Sequence, residues 1–405
     1  MKIPFSPPHI DDAIIEEVVA ALRSGWITTG PRTKLFEQKI AEYCGIQRVV
    51  CVNSASAGLE LVLRWFGVGQ GDEVIIPAYT YTATAAVVLH CGAKPVMVDV
   101  NDELLMDVEH LRDAITPHTK VIIPVDIVGL PCDYDNIMDF IQQPSVKQQF
   151  HPNNPIQEKL GRVLILSDAA HSFGAHYKGK KTGALTDITV FSFHAVKNLT
   201  TAEGGAICLT LPDPFNPDEL HHDFSVSSLH GQSKDAFTKT QAGNWHYDVC
   251  TIGYKCNMTD IAAAMGLVEL ARYDRVILPR RKKIFDTYYQ AFKNDCRFRM
   301  PVYETAEKKS SYHVFTLFLN HVTEQQRDEI IQKMAEREVA TNVHFIPLPM
   351  LTAYKSLGYN MADYPNSYKN YACEISLPVY FDLTDEQVNE VIRVVREAVP
   401  EIPGL

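Results

Sequence analysis

The chain has 405 residues, 46% hydrophobic and 21% charged, so it can bury a core large enough for two or three domains. Its formal net charge of -11 excludes a broad nucleic-acid surface, which requires an excess of lysine and arginine. Because no apolar run approaches the roughly 18 residues of a membrane span and MKIPFSPPHIDD lacks the apolar centre of a signal peptide, we expect a cytoplasmic globular protein without membrane or nucleic-acid partners.

The nine cysteines stand singly along the chain, in an odd total and without a CxxC pair. This pattern argues against a disulfide framework and against a zinc knuckle. We therefore expect buried free thiols and no metal site.

The first predicted element is an amphipathic helix over residues 11–24, DDAIIEEVVAALRS, with an aspartate available as N-cap. From residue 48, short apolar runs alternate with helical segments. The runs are RVVCVN, DEVIIPAY, KPVMVDV, KVIIPVDIVG, RVLILSDAA, ITVFSFH and GGAICLT. Such alternation is typical of βαβ units, so about seven strands of a large, mostly parallel sheet are predicted before residue 211.

The remaining segments predict a second, smaller unit. The polar stretch 141–159 is read as a surface insertion, and a loop is expected around 211–245. Residues 259–293 predict long helices. A strand (YHVFTLFLN), a helix (324–337), a strand (TNVHFI), a helix near 364–372 and a last helix from 384 follow. We expect a large α/β domain over residues 1–250 and a smaller α+β domain over 251–405.

The most informative stretch is FSFHAVKNLTTAEGGA, where Lys197 follows a predicted strand and precedes a Gly-Gly pair. Ligands of doubly wound folds collect at the carboxyl ends of strands, and a lysine desolvated there can lose its proton and attack an aldehyde. Asp168 ends the strand LILSD and should reach the same sheet edge. A carboxylate at that position can keep a pyridine nitrogen protonated. Taken alone, each residue has a plainer explanation: a solvated surface lysine and a helix-capping aspartate.

Two further segments fit a phosphorylated aromatic ligand. VNSASAGLE runs from strand through a small-residue turn into a helix, so the amides of Ala55, Ser56 and Ala57 could bind a phosphate, and Ser192 is a further donor. In PAYTYTA, Tyr81 follows another strand and could lie over a planar ring. Turn sterics and core packing are the competing readings of these two segments.

Together these residues resemble the sugar-nucleotide aminotransferase family, the DegT-like branch of the fold-type I enzymes that use pyridoxal 5'-phosphate (PLP). The likeness covers nearly the whole chain, and its ordered segments include SGWITTGPRTKLFEQKIAEYCG, GDEVIIPAYTYTATAAVVLHCGAKPVMVDV, DAAHSFGAHYKG, FSFHAVKNLTTAEGGA, GYKCNMTDIAAAMGLVEL, VHFIPL and SLPVY. The resemblance implies a large, mostly parallel seven-stranded sheet domain with a smaller C-terminal α+β domain.

The resemblance also implies roles for individual residues. Lys197 would bind the cofactor covalently and carry protons, Asp168 would pair with the pyridine nitrogen, and Tyr81 would stack on the ring. Phosphate contacts fall to Ala55, Ser56, Ser192 and, across a homodimer interface, Asn257. Positions near the sugar pocket are Trp26, Thr28, Thr29, His194, His344 and Phe345.

The chain departs from the common family pattern at three positions. His171 stands near the ring where many members carry glutamine, Asp126 where many carry histidine, and Ala55 where glycine is frequent. None of these changes removes a catalytic group, and His171 and Asp126 can tune the cofactor pocket.

The reaction implied by the resemblance takes an amino group from L-glutamate, and the cofactor carries it by changing between PLP and its aminated form, pyridoxamine 5'-phosphate (PMP). The acceptor is a nucleotide-linked 4-keto-6-deoxy sugar. A UDP-linked N-acetylhexosamine derivative is the first choice because GYKCNMTD and WHYDV resemble segments of enzymes that aminate such sugars.

We consider three alternatives. The dehydratases related to this family carry histidine at the position of Lys197. A cysteine desulfurase needs a thiol on a mobile loop, and no cysteine of this sequence is expected in a loop of that character. A non-enzymatic regulator with the same fold should have lost Lys197 or Asp168, whereas both are present.

Overall fold

The computed structural model describes residues 2–233 and 246–401. The strands of these residues are β1 (Arg48–Val52), β2 (Glu73–Pro77), β3 (Lys94–Val98), β4 (Thr119–Ile122), β5 (Leu164–Asp168), β6 (His176–Tyr177), β7 (Lys180–Lys181), β8 (Ile188–Ser192), β9 (Gly205–Leu209), β10 (Phe298–Arg299), β11 (Lys308–Lys309), β12 (Phe315–Leu319) and β13 (Glu374–Leu377). The α-helices are α1 (Asp12–Arg23), α2 (Pro31–Cys44), α3 (Ala55–Trp65), α4 (Thr82–His90), α5 (Val108–Arg112), α6 (Tyr134–Gln142), α7 (Pro144–Lys147), α8 (Pro155–Leu160), α9 (Pro217–Ser227), α10 (Asp260–Arg272), α11 (Leu278–Phe292), α12 (Glu324–Glu336), α13 (Thr352–Lys355), α14 (Pro365–Cys373) and α15 (Asp385–Ala398).

A seven-stranded sheet in the order β1-β9-β8-β5-β4-β2-β3 forms the centre of the fold. Only β9 runs antiparallel to its neighbours, β1 and β8, and the other pairs are parallel. Every residue of β5 and β9 is buried, as expected for strands that helices cover on both faces. The predicted α/β class and all seven predicted strands are confirmed.

The N-terminal helices pack beside this sheet. As predicted, α1 begins after Asp11, whose side chain accepts a hydrogen bond from the N–H of Ile14. The start of α2 is capped from a distant part of the chain. The buried carboxylate of Asp260 accepts hydrogen bonds from the N–H groups of Gly30, Arg32 and Thr33 and from the Thr33 hydroxyl. This anchor fixes the segment that leads from α1 into α2.

A small antiparallel sheet in the order β10-β12-β13 lies in the C-terminal part of the chain. It shares an apolar core with α11, α12 and α15, which Ile3 joins from the opposite end of the chain. The predicted helices in 259–293, 324–337, 364–372 and from 384 are confirmed, and a π-helical turn at Tyr273–Ile277 separates α10 from α11. The domain division after residue 250 stays a prediction.

Two predicted segments are wrong. The expected loop at 211–245 contains α9, which Asn216 caps by accepting hydrogen bonds from the N–H groups of Asp218 and Glu219 and which buries Leu220 and Phe224. The NPDE sequence at its start is an ordinary helix-start signal. Residues 234–245 of the same expected loop lie outside the described residues.

The second error is the strand TNVHFI. Only Asn342 forms a bridge, to Ser376, while the N–H of His344 donates to the side-chain carboxyl of Glu374 rather than to the backbone of a strand. β12 pairs with β10 and β13. No helix in the described part of the chain is long and apolar enough to cross a membrane.

Candidate active site

A cavity of about 320 Å³ lies at the carboxyl ends of the parallel strands of the large sheet. Its size falls in the roughly 300–1,000 Å³ range of ligand pockets. Ten of the fourteen residues predicted for the site line it: Ala55, Ser56, Tyr81, Asp168, His171, Ser192, His194, Lys197, His344 and Phe345. These residues come from distant parts of the chain, and the strand ends bring them together.

Lys197 lies in the turn that follows β8, where its N–H donates to the carbonyl of His194 at 2.8 Å. Its amine makes no hydrogen bond or ion pair with any described residue. Burial lowers the pKa of this amine to about 8, and the negative charge of Asp168 opposes the shift. A sizeable neutral fraction near pH 8 makes the amine a usable nucleophile and base.

Asp168 ends β5, is buried and lines the same cavity as Lys197. Its Oδ2 accepts a hydrogen bond from the Thr84 hydroxyl at 2.8 Å, and its Oδ1 accepts one from the N–H of Ala170 at 3.3 Å. Burial raises the pKa of the Asp168 carboxyl, while Thr84, Ala170 and Lys197 lower it. Within the described residues the carboxylate has no ion-pair partner, so a cationic N–H in the cavity would complete its environment.

The start of α3 offers donors for an anion. Ser54 Oγ accepts a hydrogen bond from the N–H of Ala57, so the predicted contribution of Ala57 to a phosphate site is wrong and the amides of Ala55 and Ser56 remain. Gly205 of β9 makes the close approach possible, because a Cβ atom there would lie 2.7 Å from the nitrogen of Ala55. A helix N-terminus of this kind binds phosphate through backbone amides and the helix dipole.

Aromatic and imidazole rings form the remaining wall. Tyr81 is 59% exposed, and its ring centroid lies 5.5 Å from that of Phe345. The His171 ring lies 5.8 Å from Phe345 and 4.4 Å from His313. Burial lowers the pKa of His171 and of His313, so both imidazoles are neutral. The more exposed His194 lies 3.6 Å from the carboxylate of Glu203 at the rim.

Four predicted site residues do not line this cavity. Trp26 donates its indole N–H to the carbonyl of Thr29, the Thr28 carbonyl accepts from the N–H of Asp260, and the Asn257 amide donates to the Thr29 hydroxyl. Thr29 and Asn257 line a separate groove. In one chain, these residues therefore lie away from Lys197.

Asp126 lies behind the cavity. It is buried, accepts hydrogen bonds from Tyr134, Ser172 and the N–H of Cys132, and donates its own N–H to the carbonyl of Asp168. It supports the strand end that carries Asp168.

Sequence analysis missed Thr84 and His313. Thr84 bonds to Asp168 and also to Thr80, four residues earlier. The recurrence of threonine in TYTATAA after a strand was the available signal for this contact. His313 was read only as part of a strand, and it shows no comparable signal.

A buried lysine amine without a partner, a buried carboxylate and a helix start with free amides, together in one cavity of an α/β fold, are the features that a PLP-dependent enzyme requires. The chain belongs to the DegT/DnrJ/EryC1/StrS aminotransferase family, which it matches over residues 8–148 and 154–396. The unmatched residues 149–153 fall inside the predicted surface insertion.

Individual relatives agree with this membership. The spore coat polysaccharide biosynthesis protein SpsC of Bacillus subtilis is 37% identical over 405 residues, covering 98% of this chain and 97% of its own. A candidate sugar aminotransferase of Streptococcus pneumoniae, Spr1654, solved in its PMP form, is 46% identical with a TM-score of 0.94, covering 98% of this chain and 99% of its own. PseC of Helicobacter pylori, an aminotransferase involved in the biosynthesis of pseudoaminic acid, is 27% identical with a TM-score of 0.86, covering 98% and 99% of the two chains.

The cavity fits PLP because each chemical group of the cofactor has a matching side chain or amide. The unpartnered amine of Lys197 suits the aldehyde, the carboxylate of Asp168 suits a protonated ring nitrogen, and the free amides at the start of α3 suit the phosphate. The chain is thus a PLP-dependent sugar aminotransferase.

Proposed function

We propose that this protein transfers the amino group of L-glutamate to a nucleotide-linked 4-keto-6-deoxy sugar, derived from a UDP-linked N-acetylhexosamine, for the synthesis of a polysaccharide or glycan. The observation that carries the proposal is that Lys197 and Asp168 line one cavity of this family's fold, while the Lys197 amine has no hydrogen-bond or ion-pair partner among the described residues. The names of SpsC and PseC support a sugar-derived product. Trp245 of the WHYDV segment lies outside the described residues, so the nucleotide preference depends on sequence similarity.

Within this proposal each residue around the cofactor has one task. Ala55, Ser56 and Ser192 would hold its phosphate, Tyr81 would cover its ring, and Asp168 would keep its ring nitrogen protonated. His171, which lines the same cavity, would meet the cofactor as a neutral imidazole. When bound, PLP supplies an electron sink that acidifies the carbon bearing the amine.

Lys197 is both the covalent anchor and the proton carrier of the reaction. Its amine takes the proton from Cα of the amino donor and later gives a proton to C4 of the sugar. Lysine at this position also separates the proposal from the dehydratase alternative, in which histidine replaces it. Trp26, Thr28, Thr29, His194, His344 and Phe345 are proposed to contact the sugar nucleotide.

The nucleotide choice is tested by turnover. We expect UDP-linked 4-keto N-acetylhexosamines to be aminated with a higher kcat/KM than dTDP- or GDP-linked 4-keto sugars in side-by-side assays with L-glutamate. Equal or better turnover of a dTDP- or GDP-linked sugar would show the nucleotide choice to be wrong without affecting the transaminase chemistry. Release of a deoxygenated sugar without amine transfer would favour the dehydratase.

The reaction of Lys197 with PLP should depend on pH. Because burial places the pKa of this amine at about 8, the ammonium form dominates below pH 8 and cannot attack the aldehyde. We expect the covalent loading rate of the cofactor-free protein to rise about tenfold per pH unit up to pH 8 and then level off. Stopped-flow absorbance measures this rate, and the Lys197→Ala protein serves as the control. A rate that kept rising to pH 10 would show that the amine keeps the pKa of a solvent-exposed lysine.

The position of Asn257 away from its own cavity fits a homodimer with shared sites. If Asn257 binds the cofactor phosphate of the partner, Asn257→Ala loses a charge-assisted hydrogen bond worth about 1.5–3 kcal/mol, or roughly 10- to 100-fold in PLP affinity.

Mixing subunits that carry different defects tests this sharing. A dimer of one Lys197→Ala chain and one Asn257→Ala chain contains one site with both residues intact. At limiting PLP we expect the refolded mixture to recover activity that neither variant shows alone. A mixture no more active than its two components would place Asn257 outside the partner's site.

A further inference from the structure

Beneath the cavity, one hydroxyl links an imidazole of the wall to a buried carboxyl. Ser376 Oγ lies 2.8 Å from His344 Nδ1 and 2.6 Å from Glu374 Oε1. The N–H of His344 donates to the other carboxyl oxygen, Glu374 Oε2, at 3.1 Å. Glu374 and Ser376 are fully buried, whereas His344 lines the cavity. The three side chains form a continuous path from the cavity into the protein.

The Ser376 hydroxyl has one proton and two neighbours, so it can donate to only one of them. With Glu374 ionised, Ser376 donates to the carboxylate and accepts from His344 Nδ1–H, which leaves a lone pair on Nε2. With Glu374 protonated, both hydrogen bonds reverse and the imidazole proton moves to Nε2. His344 Nε2 has no hydrogen-bond partner in the described part of the chain, so it is the nitrogen available to a bound molecule.

The surroundings of Glu374 allow it to hold a proton. Arg327 of α12 is the cation whose charge acts on Glu374, but its guanidinium donates to the carbonyls of Tyr371 and Glu374 and to the carboxylate of Asp328. Tyr79 and Cys373 also face Glu374 and bring no positive charge. Among the described residues the carboxyl therefore has no ion-pair partner, a situation that favours its neutral form.

The direction of the pKa shifts agrees with this geometry. Burial raises the pKa of Glu374 to about 8, opposed by the Ser376 hydroxyl, the N–H of His344 and Arg327. Burial and the nearby Lys197 amine lower the pKa of His344 to about 3. The imidazole is therefore neutral before the reaction, so one ring nitrogen can accept a proton while the other donates one.

We propose that Glu374, Ser376 and His344 form a proton relay that connects a buried carboxyl to the oxygen of the ketone bound in the cavity. This rests on the proposed function, because exchanging a ketone oxygen for an amine releases that oxygen as water. Lys197 carries the protons of the carbon atoms, so the oxygen needs a second proton carrier.

The ketone oxygen needs two protons, one to become a hydroxyl and one to leave as water, so the relay works twice. Each time, the Glu374 O–H bond breaks, Ser376 Oγ takes that proton and passes its own to His344 Nδ1, and the Nε2–H bond of His344 breaks as a new O–H bond forms on the departing oxygen. The nitrogen that replaces the oxygen releases two protons in turn, and each returns along the same path to Glu374 before the relay works again or comes to rest. In this relay His344 contacts the substrate, and Ser376 and Glu374 are positioning residues.

The tautomer of His344 in the cofactor-free protein tests the relay without any turnover. In ¹⁵N-histidine-labelled protein, with the signal assigned by His344→Gln, we expect the Nε2–H form below pH 8 and the Nδ1–H form above it. Glu374→Gln and Ser376→Ala, two independent variants, should each abolish this change. Lys197→Ala should retain it, because the amine does not set the hydrogen-bond direction. A single tautomer throughout, or a change that persists in Glu374→Gln, would overturn the relay.

Kinetics provide a second readout. We expect Glu374→Gln to lower kcat about 100-fold, the scale of one acid–base contribution, with KM for the sugar changed less than about twofold. A rise in KM with kcat intact would assign Glu374 a structural role and overturn the relay.

The two experiments also distinguish failure of the proposed function from failure of the relay. If the wild-type protein aminates no keto sugar, the proposed function fails, and the relay has no ketone oxygen to protonate. Normal turnover without the tautomer change overturns the relay alone.

Discussion

Replacing Lys197 by alanine is expected to lower kcat for amine transfer by at least about 10⁴-fold, the upper end of what one positioned acid–base group contributes. The variant would lose the proposed covalent anchor and proton carrier together, and the described residues that line the cavity include no second amine. The measurement is steady-state transfer from L-glutamate to a nucleotide keto sugar at saturating PLP.

Two matched variants sharpen this prediction. Lys197→Arg keeps a positive charge in the cavity but cannot bond to the aldehyde, so it should be as inactive as Lys197→Ala. Lys94→Ala removes an exposed lysine paired with Glu73 and should leave turnover unchanged. Activity above about 1% of wild type in Lys197→Arg would show that charge rather than covalent chemistry is what the site requires.

Replacing Asp168 by asparagine is the second large effect, with an expected loss of about 10³-fold in kcat. Asparagine retains the shape and the hydrogen bond to Thr84 but cannot hold a positive ring nitrogen, and losing one preorganised electrostatic partner costs about 10²- to 10³-fold or more. The measurement is the rate of the half-reaction with L-glutamate in a single turnover.

Thr84→Val is the matched control for Asp168→Asn, because it removes the hydroxyl that bonds to Asp168 and to Thr80 and keeps the carboxylate. We expect a loss of about tenfold, on the scale of one hydrogen bond to a charged group. If Thr84→Val and Asp168→Asn lost activity equally, the charge of Asp168 would not be the property that matters.

The sheet could be predicted from the sequence because its strands are buried on both faces and therefore read as continuous apolar runs. The same logic failed at TNVHFI, where His344 and Phe345 line the cavity and the N–H of His344 bonds to the side chain of Glu374 instead of to the backbone of a strand. At α9, the helix-start signal beginning with Asn216 was present but was outweighed by the polar composition around it.

The candidate site could be predicted as far as each residue followed a strand end. Lys197 and Asp168 lie at the sheet edge where parallel strands end, so position along the chain was sufficient to bring them together. Contacts such as Thr84 with Asp168 and Ser376 with His344 join segments far apart in sequence and depend on side-chain direction. No local pattern encodes such contacts, and the roles proposed for Trp26 and Asn257 require a second chain.

The most direct test is the visible absorption spectrum of the protein with PLP, before and after L-glutamate, in the wild type and in Lys197→Ala. We expect the wild type to show the band of lysine-bound cofactor and to replace it with the PMP band when glutamate is added, and we expect Lys197→Ala to show neither the first band nor the conversion. A wild-type protein that forms no lysine-bound band, or a Lys197→Ala protein that forms the same one, would contradict the assignment of Lys197 and with it the proposed chemistry.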